Sequence, residues 1–183
     1  MKPIRSLCLS AGAIIFAMLA AGAQRHPGHA FSKPALVKNS PTNLKAFDVS
    51  WNDNSRQRYY LADRTNNAID LVDSATDTFL GFIGHGHYTG SRPCPSNPGD
   101  LRLCAGPNGV VTDGLGHVWA GDGDANIIEA DDTPGATILR SIPTGGKGRI
   151  DELAYDPKDG VLMAENDGDS PPYRRQSSFD FVH

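Results

Sequence analysis

Runs of four to seven residues, rich in β-branched and aromatic types and closed by Asp, Asn or Gly, recur along this chain in sets of four. The first set is Phe47-Asp48-Val49-Ser50-Trp51, Arg58–Asp63, Ala68–Asp73 and Thr78–Ile83. Short runs of this composition between polar turns read as β-strands joined by hairpins. The set returns as Gly109–Asp113, His117–Asp122, Asn126–Asp131 and Thr137–Ile142. A third copy opens with Glu152–Asp156 and continues through Val161–Asn166. Asp113 and Asp156 stand 43 residues apart, whereas Asp63 and Asp122 stand 59 apart. The longer gap reflects an insertion of roughly 20 residues over the usual blade length of about 40–45. Strand quartets at that spacing predict an all-β fold, a β-propeller. A sandwich also has short strands but lacks this self-similarity.

The N-terminus reads as an export signal over residues 1–23. Lys2 and Arg5 precede the apolar run Leu7–Leu19, and Ala21-Gly22-Ala23 is a small-residue cleavage site before Gln24. That order of zones defines a secretory signal peptide. The expectation is a secreted or periplasmic protein that leaves the membrane once the signal is cut. Removing Lys2 and Arg5 leaves 15 basic against 21 acidic residues, a net charge of −6. A nucleic-acid binder would be basic, so that partner class is excluded. Its partner is then an unidentified small molecule or protein.

Export leaves Cys94 and Cys104, ten residues apart across a Pro/Gly-rich loop. In an oxidising compartment this pair is expected to form a disulfide. The sequence thus divides into the signal (1–23), a flexible segment (24–46), propeller blades (47–170) and an irregular tail (171–183). Within 47–170 lie blade one (47–84), the disulfide-containing insertion (85–106), blade two (107–142) and a partial blade three (151–170).

The stretch Tyr60-Leu-Ala-Asp-Arg-Thr-Asn-Asn-Ala-Ile-Asp-Leu-Val-Asp73 resembles the YVTN and NHL propeller repeats. There a strand ending in Ala-Asp passes through an Asn-rich turn into a strand ending in Asp. The stretch from Gly106 to Asp122 is similar to the same repeat, and to the blade opening of gluconolactonase/senescence-marker lactonases. Asp151–Gly160 fits it as well. The resemblance covers about residues 47–170 and implies a propeller fold. It leaves the function open, because such propellers include lactonases, haem-propeller relatives and cell-surface binding proteins. Closed propellers have four to eight blades, and this chain accounts for about two and a half of them. The expectation is therefore a partial propeller: a fragment of a larger ring, or an arc completed by other chains. Its open blade edges would favour self-association.

In a propeller the first strand of each blade lines the central channel, and ligands sit where those strands begin. Here the starts are Asp48, Asn108 and Asp151-Glu152. The lactonase resemblance implies a divalent cation such as calcium, with Asn108 the first match and Asp151 the next. Carboxylate and amide oxygens suit such a hard ion. The competing reading of these residues is turn and loop hydrogen bonding. Asp122-Gly-Asp124 and Asp167-Gly-Asp169 read as turn chemistry too, since no EF-hand glutamate follows either. His85 and His87 open the insertion; on a strand they would share a face and could hold a transition metal or haem iron, whereas an exposed loop pair is the expected state. No Gly-x-Ser-x-Gly elbow, Walker loop, His-Glu-x-x-His or CxxCH motif occurs. The leading expectation is a binding or scaffold module. A metal-dependent lactonase-type hydrolase and a haem-propeller relative are the alternatives.

Overall fold

A computed structural model of the chain describes residues 36–41, 44–92 and 104–167, together with the backbone of 178–182. All of these lie in one unit, Ala35–His183; the signal region lies outside the described residues, as does Cys94. Eleven strands and no helix are present among the described residues. Strands β1 (Phe47–Asp53), β2 (Arg58–Asp63), β3 (Ala68–Asp73) and β4 (Thr78–Ile83) form one antiparallel sheet in that order. A second sheet runs β5 (Val110–Thr112), β6 (His117–Gly121), β7 (Asn126–Asp131), β8 (Ile138–Pro143). In the third, β9 (Ile150–Asp156) and β11 (Ser178–Val182) flank β10 (Val161–Asn166). The chain is all-β and adopts a partial propeller.

The aspartates that close the strands explain the turns. Asp53 Oδ1 accepts from the backbone N–H groups of Ser55 and Arg56 at 2.9 and 3.2 Å. Asp63 Oδ1 does the same for Thr65 and Asn66 at 2.7 and 3.1 Å. Asp73 Oδ1 repeats it for Ala75 and Thr76, both at 3.0 Å. Each carboxylate supplies the acceptor that a tight turn lacks. Each turn then ends in a left-handed residue, Gln57, Asn67 or Asp77.

Two cores stack through blade two. Tyr60, Ala62, Ile69 and Leu71 of blade one pack with Val110, Val118, Ala120 and Ile128. On the opposite face Val111, Trp119 and Ile127 pack with Ile150, Leu162 and Ala164 of blade three. Blade two is covered on both sides, so its strands read as unbroken apolar pairs, Val110-Val111 and Ile127-Ile128. Blade three is covered on one side among the described residues, and β10 alternates buried Leu162, exposed Met163, buried Ala164. Full burial of one such aliphatic side chain contributes about 1.5–3 kcal/mol.

One expectation is corrected. Residues 171–183 are not wholly irregular: Ser178–Val182 pairs with β10 in register, Met163 opposite Phe181 and Ala164 opposite Asp180. The alternation Phe179-Asp180-Phe181 is a single short strand's worth of pattern. It gains its hydrogen bonds only from a partner twelve or more residues back, which local periodicity does not disclose.

Asp70 on β3 has one buried carboxyl oxygen without a hydrogen-bond partner. Burial first, and the neighbouring Asp63 charge second, push its carboxyl up to about 8. The folded chain then holds a proton that the unfolded chain releases near pH 4. Stability contributed by that proton is full below pH 4 and is lost as pH rises toward 8. The expected result is that Asp70→Asn, compared with the parent by thermal melts, loses much of the fall in Tm between pH 5 and 8. The variant should gain at least about 1 kcal/mol at pH 8, since a tenfold change in proton affinity is worth about 1.4 kcal/mol. Parallel pH profiles for the two proteins would contradict it.

Candidate functional site

The starts of the three inner strands converge, and two arginines join them. Arg64 follows the buried Asp63 at the end of β2, in the turn that Asp63 caps. Its Nη2 donates to Asp48 at the start of β1 and to the Asn108 side-chain oxygen before β5. Its Nε donates to the Pro107 carbonyl at 3.3 Å. Asn108 is fully buried, and its amide Nδ2 donates to the Ile150 carbonyl at 2.8 Å. Arg149, just ahead of β9, pairs with Asp151 at 2.7 Å and with Asp167 at 2.9 Å. One residue from each blade's opening is therefore tied to a guanidinium.

Burial dominates the electrostatics. It raises the Asp48 carboxyl above its ordinary value although Arg64 opposes the shift, with Asp151 adding repulsion. Burial also lowers the Arg64 guanidinium, against the pull of Asp48. Desolvation penalises both ions, and their contact offsets it only in part. Arg149 goes the other way: burial lowers it, but the hydrogen bond and charge of Asp151 carry it above its usual range. Glu152 is raised by burial, then by the charges of Asp151 and Asp48.

Asp48, Asn108 and Asp151 thus stand at or beside the starts of β1, β5 and β9. Each of these three side chains holds a guanidinium. As placed, the set does not fit a divalent ion, because Arg64 and Arg149 put two positive charges where the ion's ligands would point. Among the described residues no group of three or more His, Cys, Asp or Glu side chains is arranged to hold a metal. Sequence reasoning placed neither Arg64 nor Arg149 at the site. The available signal was a basic residue directly after a strand-closing Asp (Asp63-Arg64) or directly before a blade opening (Arg149-Ile150).

His85 and His87 are exposed on the turn after β4, where the His87 N–H bonds the Gly84 carbonyl at 3.0 Å. His85 stacks on Phe82, with ring centroids 5.0 Å apart and planes 22° apart. The two histidines therefore do not share a strand face.

The insertion is fastened at its base. Gly90 and Gly106 exchange backbone hydrogen bonds at 2.7 and 3.2 Å. Asp122, 2% exposed at the end of β6, accepts from the Thr89 N–H at 3.0 Å and the Thr89 hydroxyl at 2.8 Å. Asp63, Asp122 and Asn166 take corresponding positions in successive blades: buried, polar, and at or just after the end of the second strand.

No family model matches the chain, and no curated protein is similar to it. Among solved structures, a luciferin-regenerating enzyme, itself a β-propeller, is similar with a TM-score of 0.52 and 12% identity. The match covers 78% of this chain and 46% of that one, so this chain spans about half the length of that structure. A computationally designed protein, Ika4, is similar at a TM-score of 0.44 and 10% identity, over 69% of this chain and 61% of that one. The first likeness agrees with the partial propeller read from the repeats.

Proposed function

We propose that this chain is an exported YVTN/NHL-type propeller-repeat protein that binds or scaffolds a ligand rather than turning one over. The observation that carries the reading is the pairing of Asp48 and Asn108 with Arg64, and of Asp151 with Arg149. At the position where a lactonase-type enzyme needs a cation to polarise an ester carbonyl and activate water, the oxygens are engaged by guanidinium groups. A divalent ion would have to displace two of them. A disulfide between Cys94 and Cys104 belongs to the same proposal. Cys104 supports it, being buried, 8% exposed, beside the fastened base of the insertion. Such a bridge closes a loop of about ten residues, worth roughly 2–3 kcal/mol.

Protein recovered after export is expected to begin at Gln24 and to react with no thiol reagent until reduced. It should hydrolyse no lactone either before or after chelation, and contain no stoichiometric calcium. Chelator-sensitive lactone hydrolysis, or one calcium per chain, would overturn the binding reading in favour of the hydrolase. A Soret band in the purified protein would favour the haem alternative at His85 or His87.

A further inference from the structure

A cleft of about 460 Å³ opens between the segment leading into β1, the β2–β3 turn and the base of the insertion. Its lining includes Lys45, Arg64 and Arg92, with the hydroxyls of Thr65, Thr89 and Ser91 between them. Among the described residues no carboxylate lines it, although the chain as a whole has 21 acidic residues against 17 basic ones. This local reversal of sign comes from three separate segments that only the fold brings together.

The cations differ in role. Arg64 is fixed: its Nη2 holds Asp48 and Asn108 and its Nε holds Pro107, which leaves Nη1 without a partner among the described residues. Lys45 and Arg92 are exposed, and among the described residues neither has an ion-pair partner. The hydroxyls are mostly committed to the walls. Thr65 Oγ1 accepts from the Lys45 and Ala46 N–H groups at 2.9 Å each, and Thr89 Oγ1 donates to Asp122. The unpaired donors that remain among the described residues are the cations and the Asn67 amide. Oxyanions are the ligands such donors suit, because a planar guanidinium and an ammonium bind carboxylate or phosphate oxygens by charge-assisted hydrogen bonds.

We propose that this cleft is a binding site for a small molecule bearing a carboxylate or phosphate group, seated between Lys45, Arg92 and the free edge of Arg64. The assignment rests on the binding-module reading and names its ligand class. The cleft lies beside the Arg64 cluster, so the guanidinium that ties blade one to blade two also presents its remaining face to the ligand.

The test is calorimetric titration of the mature chain at low salt with inorganic phosphate and, separately, with citrate. Saturable binding of either anion is expected, weakening about tenfold or more in the double variant Lys45→Ala/Arg92→Ala. Because both side chains are exposed and have no ion-pair partner among the described residues, the variant's Tm without ligand should match the parent's. No saturable heat with either anion at millimolar concentration, or equal affinity in parent and variant, overturns the assignment. A neutral saccharide bound equally by both proteins, with no anion binding, would overturn the ligand class and leave the binding-module reading standing. Lactone turnover would remove that reading without altering the anion affinities measured here.

Discussion

Gly121→Val is expected to lower the urea unfolding midpoint sharply, with a loss of about 3 kcal/mol, at the upper end of the usual cost of overpacking. Gly121 closes β6 on the face that meets blade three. A Cβ added there would lie 2.5 Å from the Ile150 carbonyl oxygen and 2.7 Å from the Ile150 Cγ2. Gly109 is in the same position one strand inward, where an added Cβ would lie 2.5 Å from the Asp151 carbonyl. The two glycines are hydrogen-bonded to each other, Gly121 N–H to Gly109 carbonyl at 3.0 Å. Backbone therefore meets backbone along this seam, and a side chain can be admitted only if β9 moves away. That movement would open the core of Val111, Ile127, Ile150 and Leu162 beneath it. Gly135→Ala is a useful comparison. It has a positive φ of 80° but nothing within 4 Å, so it costs backbone strain alone. If Gly121→Val unfolds at the same urea concentration as the parent, blades two and three do not meet as described.

The same seam shows which features can be read from sequence and which cannot. Strands β2, β3 and β7 are visible because local composition and the closing aspartates mark both ends. The Asp63 and Asp73 carboxylates act on backbone groups two and three residues away, within reach of any local reading. Blade two's coverage on both faces is also legible afterwards in Val110-Val111 and Ile127-Ile128, which do not alternate. Arg64 is different. Its partners Asp48 and Asn108 lie 16 and 44 residues away, and the strand-closing Asp63 beside it marks a turn without saying what Arg64 will meet. The pairing exists only because the blades pack with their openings together. Strand β11 was missed for the same reason, since its partner strand precedes it across residues that carry no strand pattern. The strand-start rule singles out Asp48, Asn108 and Asp151, but it says nothing about which charge sits between them.

Asp122→Ala is expected to destabilise the chain by about 2–4 kcal/mol, because it removes hydrogen bonds to a charged acceptor and strands their buried donors. The sequence pattern Asp122-Gly-Asp124 looks like a turn and nothing more, and Asp124 is indeed exposed. Asp122 does something else: both its oxygens accept from the Thr89 N–H, at 3.0 and 3.2 Å, and one takes the Thr89 hydroxyl as well. Burial raises its carboxyl above the ordinary range, and the bonds from Thr89 and Gly123 only partly restore it. The ionised form is thus held at a cost that the Thr89 contacts offset. An added Cβ at Gly106 or Gly123 would strike Asp122 or the Cys104 backbone, so the return leg of the insertion lies directly on this turn. With alanine at position 122, the Thr89 N–H loses its acceptor and the insertion loses its fastening to blade two. Thr89 also lines the cationic cleft. Loss of stability should therefore be accompanied by faster amide exchange at Thr89 and Gly90, ahead of global unfolding. Asp122→Asn keeps one acceptor oxygen and should cost less than half as much. Equal loss in the alanine and asparagine variants, or unchanged exchange at Thr89, would show that Asp122 acts through its charge alone and does not anchor the insertion.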